Sequence, residues 1–218
     1  DGPRGWCRDV WDGVMLRNEY GLPRELPADG VILDIGAHVG AFTRACLRRG
    51  ARRILAVEPL AVNIAALKHN VGDYGERSTI VVKQAAAWSD RRSLPLSEST
   101  CHVPGNTSTC TAFYSADAVP PEEVPAVPLD ELIDEAAALG NGRVALIKID
   151  AEGAEYPTLL TATKLGLVDA VVGETHVNVT WEGVARDHEE VFAALREQGF
   201  RVESQANGPC TRIFWARR

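Results

Sequence analysis

Val31-Ile32-Leu33-Asp34-Ile35-Gly36-Ala37-His38-Val39-Gly40-Ala41-Phe42-Thr43 joins an apolar run to a helix through a glycine turn, and that junction sets the architecture. The first five residues are apolar but for one acid, which suits a short strand buried on both faces. Gly36 ends the run and Gly40 follows four residues later. Two glycines in that space let the backbone turn sharply and let a ligand come close to it. From Ala41 an amphipathic helix is expected to residue 49. Phe42, Ala45 and Cys46 supply its apolar face, Arg44, Arg48 and Arg49 its wet one, and Gly50 stands where a helix end favours glycine.

Outward from this junction the same rhythm repeats. Residues 53–57 read as a second strand ended by Glu58-Pro59, with Pro59 suited to the first turn of a helix over 61–69. A third strand at 79–83 is β-branched at Thr79, Ile80, Val81 and Val82. The order β-α-β-α-β with short connections predicts a parallel, doubly wound α/β sheet. Further on, helices are expected at 129–139, 154–163 and 187–198, and strands at 144–149, 168–173, 200–204 and 211–216. Asn207-Gly208-Pro209 joins the last two as an antiparallel pair closing the sheet. The expectation is a single domain over 1–218. Residues 1–27, with Trp6, Trp11 and Tyr20, form an irregular or helical cover, and 93–128 an insertion. Within it the Ser/Thr/Cys-rich stretch 97–115 reads as a hairpin or long loop. As a lid it would offer His102, Asn106, Thr107, Ser108 and Thr109 to a polar substrate.

Composition narrows the partners. Thirty acidic against 23 basic residues give a net charge of −7 in 218 residues. No Lys/Arg cluster stands out, which argues against a nucleic-acid backbone as partner. No apolar run nears the roughly 20 residues that cross a bilayer, and no signal peptide opens the numbered chain. Five cysteines, an odd number without a Cys-x-x-Cys pair, suit reduced thiols in a cytoplasmic enzyme better than a disulfide framework or a zinc site. A Cys101–Cys110 bridge across the hairpin is the lesser alternative.

The glycine turn and the acid that ends the second strand together suggest a cofactor. Glu58 lies about twenty residues beyond the glycine turn, where a carboxylate can accept hydrogen bonds from both ribose hydroxyls of an adenosine-containing cofactor. A dinucleotide fingerprint would need a glycine two residues after Gly36, where His38 stands. Asp34 brings a negative charge that would repel a diphosphate yet receive the amino group of S-adenosylmethionine (SAM). An NAD-type oxidoreductase is disfavoured on both counts.

These residues resemble the first motif of class I SAM-dependent methyltransferases and, more specifically, the FkbM family. That family's acid-Pro pair with spaced Asn, Leu and Asn appears as Glu58-Pro59, Asn63, Leu67 and Asn70. Its later signature appears as Ile147-Lys148-Ile149-Asp150-Ala151-Glu152-Gly153-Ala154-Glu155, preceded by Val127-Pro128-Leu129-Asp130-Glu131-Leu132. His38 departs from the pattern, which usually has Asn there. The resemblance implies a Rossmann-like, mostly parallel seven-stranded sheet with helices on both faces, and SAM as methyl donor. The acceptor it implies is a hydroxyl of a sugar or other small metabolite of secondary metabolism, as in antibiotic biosynthesis. It assigns Asp34, Gly36, Ala37, His38 and Gly40 to the methionine part of the cofactor. Glu58, with Pro59 and Asn63, falls to the ribose, and Ala86 and Trp88 to the adenine. Trp88 as plain core packing is the competing reading.

The reacting end has two clusters at strand ends, Asp150, Glu152 and Glu155 after 144–149, and Glu174 and His176 after 168–173. On chemistry alone His176 is the neatest general base, oriented by Asp150 or Glu174, with Asp150 also beside the cofactor. A hydrogen-bonded loop histidine is the alternative, as is helix capping for Glu152 and Glu155. Lys148, inside an apolar strand, is expected to pair with an acid. Asp150, Glu174 and His176 also resemble an oxygen- and nitrogen-rich site for a divalent metal, which is not assigned. N-methylation and a non-catalytic SAM-binding domain remain the alternative functions. The sequence is silent on oligomeric state.

Overall fold

The computed structural model describes residues 4–98, 110–111, 122–177 and 179–218. The chain runs α1 (Arg4–Met15), β1 (Val31–Ile35), α2 (Ala41–Arg48), β2 (Arg53–Val57), α3 (Ala61–Val71) and β3 (Thr79–Lys83), then β4 (Ala86–Trp88), β5 (Arg92–Glu98), β6 (Cys110–Thr111) and β7 (Glu122–Pro128). After these come α4 (Leu129–Ala137), β8 (Leu146–Ile149), α5 (Glu155–Leu159), β9 (Ala170–His176), β10 (Thr180–Trp181), β11 (Val184–Ala185), α6 (His188–Glu197), β12 (Arg201–Ala206) and β13 (Thr211–Arg217).

Seven strands form the central sheet in the order β3-β2-β1-β8-β9-β13-β12. Only β13 is antiparallel to its neighbours, so the parallel sheet closed by an antiparallel pair is as the sequence predicts. The strand order reverses direction between β1 and β8, and at such a point the loops leaving the carboxyl ends diverge and open a crevice. Strand β1 is buried along its whole length. Val31, Leu33 and Ile35 join the core under α4, while Ile32 joins the opposite core with Phe42, Ala45 and Cys46 of α2. This period-two division, at about 1.5–3 kcal/mol per fully buried aliphatic side chain, fixes the height of the glycine turn above the sheet.

Several elements differ in extent from the sequence reading. The helix expected at 154–163 shrinks to α5, with Pro157 in its first turn, where the missing amide costs no intrahelical bond. Strand β9 runs on past Gly173 to His176, because β13 pairs with it as far as Thr211 opposite His176. The α6 start carries a reciprocal cap between Asp187 and Glu190. In the expected insertion, β5 lies antiparallel to β7, and β4 joins β7 in parallel, giving a second sheet β4-β7-β5-β6. It has its own core of Leu60, Trp88, Leu94, Leu96, Val124 and Ala126. The lid residues His102, Asn106, Thr107, Ser108 and Thr109, and Cys101, lie outside the described residues. Cys46 is a buried free thiol.

The N-terminal cover is helical over α1 and then crosses the strand ends. Trp215 Nε1 donates to the Tyr20 carbonyl at 2.9 Å, and the Tyr20 ring packs edge-on against Phe42 at 5.5 Å. Gly21 (φ +60°) lies under Trp215, whose Nε1 would be 2.9 Å from any added Cβ. The segment is thereby pinned at residues 20–21 with Glu19 beside them. Among the described residues, no helix is long and apolar enough to cross a membrane.

Candidate functional site

A cavity of roughly 340 Å³ opens at the carboxyl ends of β1, β2 and β8, within the size range of small-ligand sites. Gly36, Ala37, His38, Glu58, Pro59, Ala86, Trp88, Asp150 and Glu174 line it, so most of the sequence-predicted residues meet on one wall. Asp34, Gly40, Asn63 and His176 do not line it.

The glycine turn is built by close approach. Gly36 (φ +71°) lies so near β8 that an added Cβ would sit 1.9 Å from the Asp150 carbonyl oxygen. His38 follows in the left-handed region at φ +50°, a conformation in which Asn, Asp and His are enriched over other non-glycine residues. His38 therefore answers the same backbone demand as the Asn usual in the family pattern. Its half-buried imidazole is held down to about 4 by desolvation and by Lys148, so the ring is neutral at physiological pH.

Beneath the turn sits a buried charge group. Lys148, 4% exposed, donates to the carbonyls of Gly36 at 2.7 Å and Ile35 at 3.3 Å. It lies 3.8 Å from Asp34 and 3.9 Å from Asp150, meeting the expectation of a paired lysine. Asp34 is fully buried and accepts from Thr43 Oγ1 at 2.6 Å. Desolvation raises its pKa, with Lys148 and Thr43 opposing. Asp34 thus acts from behind the turn, shaping it through Thr43 and Lys148 rather than facing the cavity.

Glu58 marks the far end. Its carboxylate accepts from the His38 amide at 2.8 Å, the Leu60 amide at 3.1 Å and Asn63 Nδ2 at 2.9 Å. Asn63 therefore bears on the site through Glu58. Burial raises the Glu58 pKa, and those three donors oppose the rise. Of about four acceptor directions on a carboxylate, three are used and one remains for a ligand hydroxyl.

At the near end, Asp150 accepts from the Tyr20 hydroxyl at 2.8 Å. Burial pushes its pKa up, but Lys148, His176 and Tyr20 together bring it below the usual carboxylate value. Glu174 accepts from Asn207 Nδ2 at 2.9 Å and is raised by desolvation and by Asp150. His176 lies between two other acids, with Nδ1 3.3 Å from Glu155 and Nε2 3.5 Å from Glu152. Burial alone would lower its pKa, but Glu155, Glu152 and Asp150 raise it well above 6.5. A protonated imidazole has no lone pair to take a proton. In this arrangement the partner expected of Asp150 or Glu174 is Glu155, which also accepts from the amides of Ala151 at 2.6 Å and Gly153 at 2.9 Å. The capping reading of Glu155 and its pairing with His176 are thus one arrangement. Glu152 (φ +51°) is pushed up to about 8 by desolvation, with His176 opposing. Asp150, Glu155 and His176 offer ligand atoms within 4.8 Å of one another; a cation there would have to displace the proton held on His176.

Among the wall residues that escaped the sequence reading are Glu19, and Tyr20 in its role as a hydrogen-bond donor. Both belong to the N-terminal cover, and Tyr20 meets Asp150 across 130 residues. No local motif marks such a contact.

Comparison with known proteins gives a family and a fold. The family profile described as "Methyltransferase FkbM domain" matches residues 34–202. No curated protein matches in sequence. Among solved structures, EvdMO1 superposes with a TM-score of 0.51 at 16% identity, covering 96% of this chain and 41% of EvdMO1. This chain thus spans less than half of EvdMO1. The magnesium protoporphyrin IX methyltransferase ChlM from Synechocystis PCC 6803, solved with bound SAM, superposes with a TM-score of 0.51 at 11% identity, covering 99% of this chain and 81% of ChlM. At these identities the likeness is one of fold.

Proposed function

The chain belongs to the FkbM methyltransferase family, and on that premise we propose that it transfers the methyl group of SAM to a hydroxyl of a small polar metabolite, such as a sugar or another natural-product intermediate. The observation that carries this reading is the single cavity wall running from Glu58 through the Gly36–His38 turn to Asp150. In it, Glu58 would hold one ribose hydroxyl with its remaining acceptor direction. Asp150 and the Gly36 turn would hold the methionine part, with Asp34 supporting from behind. Ala86 and Trp88 would flank the adenine.

When bound, SAM supplies a methyl group already activated on a sulfonium. The chain's own work is then to orient an acceptor, exclude water and receive a proton. Glu19, Asp150, Glu152 and Glu174 give the acceptor end a carboxyl-rich lining in which Asp150 is the ionised member. Such a lining disfavours a phosphodiester backbone and a cofactor diphosphate alike. It suits an uncharged polyol, whose hydroxyls can donate to carboxylates. Carboxyls raised toward neutrality also suit a hydroxyl acceptor, which must lose a proton during transfer.

The test is incubation of the chain with methyl-labelled SAM and a panel of sugars and polyols, small amines, and bulk RNA. Label on a hydroxyl of a small acceptor is the expected result. Label on amines alone, or on RNA alone, would overturn the hydroxyl reading while leaving the family intact.

A further inference from the structure

We propose that Glu19, from the N-terminal segment outside the family-matched region, faces the transferring methyl group and is the carboxylate that takes the acceptor's proton. This inference rests on the proposed SAM reading of the cavity and names a further residue for that reaction.

The argument begins with the competing groups. His176 is held protonated between Glu155 and Glu152. Asp150 is engaged by Tyr20 and Lys148, and Glu174 by Asn207. Glu155 is consumed by two backbone amides and by His176. Glu152 shares His176, and it is the remaining rival. Glu19 lines the same cavity as Gly36 and Asp150; its amide donates to the Gly13 carbonyl at 3.2 Å, while its carboxylate takes no hydrogen bond from the described residues and feels burial and the surrounding charges. Its acceptor directions are therefore open to a ligand.

Its position is also built rather than incidental. Tyr20, next in the chain, is anchored by Asp150 and by Trp215. Gly13 of α1 is buried against Glu19, where an added Cβ would lie 2.3 Å from Glu19 Oε2. The charged and titratable groups around it are Asp150 and Glu174 on the strand ends, Lys148 beneath, Arg17 and Tyr20 on its own segment, and Asp9 of α1 on the same wall. Burial, with Asp150 and Glu174, pushes the Glu19 carboxyl up to about 7, against the opposing effect of Arg17 and Lys148. A base so poised is matched to neutral pH. The step balances: the acceptor's O–H bond breaks as its oxygen bonds the methyl carbon, the proton passes to Glu19, and the carbon–sulfur electron pair stays on sulfur.

SAM carries a sulfonium charge that its product, S-adenosylhomocysteine, lacks. If Glu19 faces that charge, SAM binding should drive the proton off Glu19, and the product should not. Calorimetric titration at pH 7 in buffers of differing ionisation enthalpy reads this directly. Glu19→Gln should reduce the excess proton release of SAM over S-adenosylhomocysteine by up to about half a proton, the share a group with pKa near 7 still holds at that pH, while leaving product affinity unchanged. Glu19→Asp should retain part of the excess. Gly13→Ala, which displaces the carboxylate without removing it, should lower the excess and serves if Glu19→Gln fails to fold. An excess unchanged in both Glu19→Gln and Gly13→Ala, or carried by Glu152→Gln instead, would overturn the proposal. Wild type binding neither ligand would overturn the cofactor reading as well.

Discussion

Two carboxylates stand at opposite ends of one cavity under opposite constraints. Glu58 accepts three hydrogen bonds from residues within twenty positions of it, two of them backbone amides. Glu19 accepts none among the described residues, and its anchors lie 130 and nearly 200 positions away in Asp150 and Trp215, through Tyr20. A carboxylate whose acceptor sites are filled by the fold is rigid and selects one ligand geometry. One whose sites are left open, among other acids, is free to exchange protons. The Glu58 end thus has the features of a binding site, and the Glu19 end those of a place where charge changes.

The largest effect should come from the charge group that separates the two ends. Lys148→Met leaves Asp34 buried without its counter-charge, and breaking a buried pair in this way costs about 3–5 kcal/mol. Thermal unfolding should show a large fall in Tm, and an unchanged Tm would mean that Asp34 is satisfied without Lys148. Next, Glu58→Ala should weaken SAM about a hundredfold, equivalent to about 3 kcal/mol for lost bonds to a charged acceptor. Calorimetry checks this, and a Kd within threefold of wild type would remove the ribose role. Tyr20→Phe should be milder, about 1.5 kcal/mol or tenfold in SAM affinity. It should spare 5′-methylthioadenosine, which lacks the amino and carboxyl groups near Asp150. An equal loss for both ligands would mean that Tyr20 only supports the fold.

The smallest effect is a slope of stability with pH. His176 has a raised pKa in the fold, so its contribution is full below about 6.5 and is lost as pH rises through the higher folded value. Glu19 and Glu152, raised to about 7 and about 8, hold protons that the unfolded chain gives up near its ordinary value of 4.5. Stability therefore falls as pH rises from about 5 to 8. Asp150, shifted downward from 3.8, contributes in full across this window and loses its contribution only as pH falls through its lowered folded value. Glu152→Gln should flatten the dependence of Tm on pH across that window, and an unaltered slope would contradict the raised Glu152.

The contrast between the ends also explains what was legible in the sequence. Gly36 and Glu58, which line the cavity, were legible because a turn and a strand end arrange them locally, whereas Gly40 of the same turn does not line it. Even the departure at His38 follows from a left-handed backbone angle that His tolerates. Asp34 was found as a residue, yet its burial behind the turn depends on Thr43 and Lys148 from two other elements. The proton state of His176 depends on Glu155 and Glu152, some twenty residues earlier in the chain and brought under it by the short α5. Glu19 had no signal, since its significance arises only when the cover folds across the sheet.

The most direct test of the account is calorimetric titration of the wild-type chain with SAM, S-adenosylhomocysteine and NAD, alongside Glu58→Ala. The account predicts micromolar binding of the first two, none of NAD, and a hundredfold loss in the variant. Binding of NAD without SAM, or SAM binding indifferent to Glu58, would contradict it.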